Sequence, residues 1–154
     1  MEVDIRTDAA VYAAHAQELV RFATGLVGPH DAPDVVADAF LTLTASPVWA
    51  TARDRRALWY RAVVFQARSW QRSAARRRGR EHRAAGTTIV DFPDLRPDVA
   101  AAVARLSPQQ RAVVVLTYWD DLTPAAIADL LDISEGAVRQ HLARARKHLR
   151  RVLA

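Results

Sequence analysis

The chain has 154 residues, is 51% hydrophobic, carries a formal net charge of +5 and contains no cysteine. That is enough to bury a core as one ordinary domain or two small ones, while the missing cysteines exclude a disulfide framework and a thiolate metal site. No apolar run approaches membrane-spanning length, and the start Met-Glu-Val-Asp-Ile-Arg lacks the basic-then-apolar form of a signal peptide, which suits a cytoplasmic chain with no membrane partner.

Charge is segregated along the sequence. Residues 1–52 carry two arginines against seven acids, and residues 53–83 eleven arginines against Asp54 and Glu81. Residues 84–138 return to an acidic balance, and the remainder holds six cations and no acid. Two basic segments separated by acidic ones imply two polyanion contacts on one chain. Arginine suits both, since it pairs bidentately with phosphate and stacks on bases.

Scarce glycine with abundant alanine, leucine and arginine favours helix throughout. Residues 9–27 place Val11, Tyr12, His15, Leu19, Phe22, Ala23 and Leu26 on one face of a helix ended by Gly28-Pro29, with His15 read as a packed core residue. A second helix begins near Asp31 and Pro33 and runs to about Thr44, burying Val35, Val36, Ala39, Phe40 and Leu43. On it Asp34 and Asp38 stand one turn apart, a like-charge pair that is cheap if solvated and otherwise fits a basic protein partner. Ser46-Pro47 breaks this helix, and a loop carrying Trp49 follows.

A third helix runs from about Asp54 into Arg76-Arg77-Arg78, with Trp59, Tyr60, Val63, Ala67 and Trp70 inward. Its opposite side presents Arg61, Phe65, Arg68, Arg72 and Arg76. A cationic track with an aromatic platform is how single-stranded nucleic acid is held, and Trp49, Arg53 and Arg55 in the preceding loop are placed to reach the same strand. The alternative is that Phe65 packs on a neighbouring helix while the arginines are solvated.

Periodicity dissolves between Gly79 and Asp98, where Gly86, Pro93 and Pro97 read as a linker. Helix resumes at about residues 98–105. Leu106-Ser107-Pro108-Gln109-Gln110 then offers an N-cap, a first-turn proline and a capping-box glutamine.

The segment from Leu122 to Leu142 encodes two short capped helices. Thr123-Pro124 starts the first and Ser134-Glu135 the second, with Leu122 stapling to Ile127 and Ile133 to Val138. This is the helix-turn-helix arrangement for entering a DNA major groove with the second helix; the alternative is a basic helix solvated on an all-α bundle. That helix buries Val138, Leu142, Ala145, Leu149 and Val152 and turns Gln140, Ala143, Arg144, Lys147 and Arg151 outward, flanked by Arg139 and Arg150. The fold class is therefore all-α: an N-terminal three- to four-helix bundle over residues 1–80, a flexible linker over 81–97, and a C-terminal helix-turn-helix domain over 98–154.

Taken together, these residues resemble an extracytoplasmic-function sigma factor, a small two-domain bacterial transcription initiation factor. Asp31-Ala32-Pro33-Asp34-Val35-Val36-Ala37-Asp38-Ala39-Phe40-Leu41 is similar to that family's Asp-Ala-Glu-Asp-Leu-Val-Gln-Glu-Thr-Phe-Leu signature. Arg56-Ala57-Leu58-Trp59-Tyr60-Arg61 and Leu106-Ser107-Pro108-Gln109-Gln110-Arg111 match further segments. The resemblance implies that Asp34, Asp38 and Leu41 dock on the β′ clamp helices of core RNA polymerase, and that the third helix and its preceding loop hold melted −10 DNA. It also implies that the helix-turn-helix reads the −35 duplex near the β flap. Arg139, Gln140 and Arg144 are then base or phosphate contacts, with Lys147 and Arg151 on phosphates. An anti-sigma partner is common in the family, though no residue here announces one. The chain departs from the pattern at Asp132, where glycine is usual, at Ala137 for threonine, and at Val64-Phe65 for Arg-Asn.

The rival reading is a regulator that acts on duplex DNA without polymerase. An enzyme has little support, because the chain offers no phosphate loop, nucleophile motif or metal cluster, and no cofactor is expected.

Overall fold

The computed structural model describes residues 5–81 and 96–153. Every regular element among them is a helix: α1 (Ile5–Val27), α2 (Ala32–Thr44), α3 (Pro47–Thr51), α4 (Arg55–Glu81), α5 (Pro97–Ala104), α6 (Pro108–Tyr118), α7 (Pro124–Leu131) and α8 (Glu135–Leu153). The expected linker lies almost wholly in residues 82–95, outside the described residues.

Local chemistry sets the ends of these helices. Gly28, at φ 88°, stops α1 in a left-handed conformation that costs glycine nothing. Asp54 caps α4 by accepting the Ala57 amide at 2.9 Å. Ser107 and Gln110 form the complete capping box foreseen for α6. One element differs from expectation. The segment around Trp49 is a one-turn helix, α3, whose cap Ser46 accepts from the Val48 amide.

In the N-terminal body α1, α2 and α4 pack on one another through Leu19, Phe22, Leu26, Val36, Trp59, Tyr60 and Val63, all almost fully buried. Trp59 satisfies its indole N–H on the Val36 carbonyl at 3.1 Å. Between α1 and α4, Glu18 accepts both Arg56 Nε at 2.8 Å and Nη2 at 2.9 Å, together with the Tyr60 hydroxyl at 2.9 Å. His15 belongs to this network rather than to the core: its ring is a third exposed and Nδ1 lies 2.8 Å from Glu18. Burial works to raise the Glu18 pKa, but the bonds from Arg56, Tyr60 and His15 outweigh it and hold the carboxyl at about 2.

The C-terminal body is built on Val103, Leu106, Val113, Leu116, Ile127, Leu131, Val138, Leu142 and Ala145, all buried. Val152, expected on the inward stripe of α8, is instead 41% exposed, because that helix outruns the body it packs on.

The two bodies lie against each other along α1–α6, α4–α6 and α4–α7. Gly25 sits so close to α6 that a Cβ there would come within 2.6 Å of Val115 Cγ2. Arg111, fully buried, reaches from α6 to the Leu26 carbonyl at the end of α1 and to the carbonyls of Ala104 and Leu106. At the rim Arg21 pairs with Asp120 at 3.0 Å.

Candidate nucleic-acid interface

The helix-turn-helix is made by α7 and α8. Thr123 caps α7 by accepting the Ala126 amide at 3.2 Å, and Ser134 accepts the Ala137 amide at 3.0 Å at the start of α8. Between them Asp132 takes φ 54°, ψ 50°, the left-handed conformation the sharp crossing requires. Aspartate is among the few side chains that adopt it readily. The packed side of α8 (Val138, Leu142, Ala145) turns Gln140, Ala143, Arg144, Lys147 and Arg151 to the surface, all exposed.

Arg139 is exposed as well, but its guanidinium meets Glu135 one turn earlier at 2.5 Å. Burial, then Arg144 and Arg68, push the His141 pKa below the ordinary value of 6.5, so that ring is neutral at physiological pH. The cation that sequence reasoning left unassigned is Arg146. It lies seven residues, two turns, beyond Arg139 on nearly the same line of the helix, and its Nε donates to the Tyr118 hydroxyl at 2.9 Å.

The basic face of α4 is less uniform than its pattern suggests. Phe65 is 65% exposed, so it does not pack into a neighbouring helix. Arg53, Arg72 and Arg76 are exposed. Arg68 is exposed too, and both it and the half-buried Arg61 bond to the C-terminal body. Arg61 donates Nε to the Leu130 carbonyl at 3.1 Å and Nη2 to that of Asp129 at 3.0 Å, and Arg68 meets the side chain of Gln109.

Two loop expectations need correction. Trp49 is only 3% exposed, and its indole N–H is committed to Asp8 at 2.7 Å, so it offers no stacking surface to a strand. Arg55 donates to the carbonyls of Trp49 at 3.2 Å and Ala50 at 3.4 Å, its guanidinium 5.3 Å from the Trp49 ring centre. It finishes α3 rather than pointing into solvent. The cause is the same in both cases: α3 folds the indole back onto Phe40 and leaves carbonyls that a nearby guanidinium satisfies.

On α2, Asp34, Asp38 and Leu41 are exposed along one side, Leu41 by 66%, and Val48 of α3 adds 58% exposure that the sequence pattern did not signal. Among the described residues no helix is long and apolar enough to cross a membrane.

A family profile, sigma-70 region 4, matches residues 97–149, the C-terminal body. Over 155 aligned residues the chain is 34% identical to the ECF RNA polymerase sigma factor SigL of Mycobacterium tuberculosis, in strain H37Rv and equally in strain Erdman, covering 94% of this chain and 87% of the relative. Among solved structures, the sigma factor RpoE of Bartonella quintana, described in complex with the anti-sigma factor NepR, superposes with a TM-score of 0.68. That match has 19% identity and covers 94% of this chain and 95% of the other; it bears on the fold. Identity at that level along nearly the whole of SigL, with the region 4 profile lying on α5 to α8, places the chain among the ECF sigma factors of RNA polymerase.

Proposed function

We propose that the chain binds core RNA polymerase and directs promoter-specific initiation, with α8 reading the −35 duplex and the α4 face holding the melted −10 strand. The observation that carries this reading is the exposed face of α8, cationic and without an acid from Arg139 to Arg151, set behind the left-handed turn at Asp132. A helix so presented fits the major groove. Gln140 and Arg144 can meet base edges bidentately, Arg139 joins them once it exchanges Glu135 for DNA, and Lys147 and Arg151 hold phosphates.

On α4, Phe65 supplies the stacking platform and Arg53, Arg72 and Arg76 the open cations. Arg61 and Arg68 complete the track when their present partners release them. Asp34, Asp38 and Leu41, an acidic and apolar surface on α2, dock on the β′ clamp helices, and the C-terminal body lies near the β flap. The factor performs no chemistry of its own; it supplies recognition to a cytoplasmic polymerase. An anti-sigma protein fits as a regulator of the same surfaces.

Purified chain added to sigma-free core polymerase should initiate from a cognate promoter. The Asp34→Lys, Asp38→Lys double variant should lose core binding while keeping duplex binding. Failure to initiate across a genomic promoter library would favour the duplex-only regulator, and normal core affinity in the double variant would remove the docking assignment.

A further inference from the structure

Arg146 is a cation of α8 to which the −35 reading gives no task. It stands on the flank of the helix that carries Arg139, between the outward face and the side packed on α6. There its Nε donates to the hydroxyl of Tyr118, the last residue of α6, at 2.9 Å. Both side chains are exposed, yet this bond ties the guanidinium to a second helix. Among the described residues its two Nη groups have no partner. Arg139 differs in this respect, because its Nη2 meets the Glu135 carboxylate. Tyr118 offers an uncharged oxygen, so Arg146 keeps its whole charge for something outside the chain.

A helix with its side chains is about 10–12 Å across, and the major groove of DNA is about 12 Å wide. A helix lying in that groove turns its midline to the bases and its flanks to the sugar-phosphate walls. We propose that Tyr118 and Arg146 form a phosphate clamp on one wall of the −35 groove: Tyr118 is a positioning residue that aims Arg146, whose Nη pair takes a backbone phosphate end-on. The inference rests on the −35 reading above and adds a contact and the means by which it is preset. An arginine has much rotamer freedom to lose on binding. What Tyr118 has already restricted is not lost again when DNA arrives. A phosphate contact carries no base information, so the clamp adds affinity to matched and mismatched duplexes alike.

The test uses the full chain and a fluorescein-labelled duplex selected by the wild-type protein from a randomised pool, titrated at several salt concentrations. Arg146→Ala should weaken binding about three- to tenfold and reduce the slope of log K against log salt by about one. Tyr118→Phe keeps the ring and every charge and removes only the hydroxyl. It should weaken binding about two- to fourfold with the slope unchanged. In the Arg146→Ala background the same change should have no effect, since the hydroxyl acts through the guanidinium. Both residues are exposed, so the variants should fold, and thermal melts check that they do. Duplexes carrying one uncharged methylphosphonate linkage at successive positions then locate the contact: wild-type binding should fall at a position to which Arg146→Ala is indifferent.

Wild-type affinity and salt slope in Arg146→Ala overturn the clamp. A Tyr118→Phe loss of equal size in both backgrounds, or no loss in either, overturns the positioning role. Absence of duplex binding in every form, wild type included, overturns the −35 reading of α8, and the clamp with it.

Discussion

Trp49 points its indole N–H at the carboxylate of Asp8, 2.7 Å away across the seam between α3 and α1. With Phe40 at 5.5 Å edge-on and Arg55 over the ring, this bond turns a short helix into a fixed part of the N-terminal body. Asp8→Ala leaves the indole without its acceptor and should lower stability by about 1–2 kcal/mol, read as an earlier thermal unfolding transition. Trp49→Phe should cost a similar amount yet leave single-strand affinity unchanged. A large loss of strand binding in folded Trp49→Phe would restore that residue to the DNA surface.

Acid should unfold the N-terminal body through Glu18. Its folded pKa of about 2 lies below the ordinary 4.5, so the stabilisation is complete above the ordinary value and is lost as pH falls from about 5 toward 2. At about 1.4 kcal/mol per pKa unit the shift would be worth roughly 3 kcal/mol, and solvent screening of this partly exposed group lowers that figure. Denaturant titrations across that window should show stability falling in wild type. Glu18→Gln should be weaker at neutral pH and flatter below pH 5; an equally steep slope in the variant would assign the acid sensitivity elsewhere.

Asp132 holds a left-handed backbone with a side chain attached. Asp132→Gly should therefore stabilise the helix-turn-helix, by up to about 1 kcal/mol, and Asp132→Val should destabilise it by about 1–2 kcal/mol. Thermal melts order the three proteins, and duplex affinity of the glycine variant should match wild type.

The outward cations of α8 divide by role. Lys147→Ala should weaken duplex binding uniformly across sequences and reduce the slope of log K against log salt by about one. Arg144→Ala should in addition relax preference at one base position, by about 1–3 kcal/mol. Titrations at several salt concentrations on a promoter set separate the two.

Phe65 projects into solvent, so Phe65→Ala should change folding stability by less than about 0.5 kcal/mol. Loss of a stacked base should still slow open-complex formation, at about 1–3 kcal/mol in strand affinity. An unchanged melting rate would leave this ring without a DNA role.

How far these features could be read in advance depended on the range of the forces behind them. Caps and turns act within four residues, so Thr123, Ser134, Ser107 with Gln110, and the strained Asp132 were all legible. Helical periodicity likewise identified the buried face of α4 and the open face of α8. α3 was hidden because five residues are too few to show a period, and with it went the burial of Trp49 and the local bonds of Arg55. The contact between the bodies was hidden for another reason. A stripe tells that a face is covered, not by what. One clue existed: residues 112–116 of α6 are apolar without interruption, as in a helix covered on more than one side, and all five are buried.

Arg111 bears on how such a contact can come apart. It donates to the carbonyls of Ala104 and Leu106 in its own body and to that of Leu26 across the seam. A guanidinium tethered wholly to the opposite side would have to be torn from its acceptors and rehydrated in the open. With Ala104 and Leu106 as acceptors in its own body, Arg111 would not lose every bond if the Leu26 carbonyl were withdrawn.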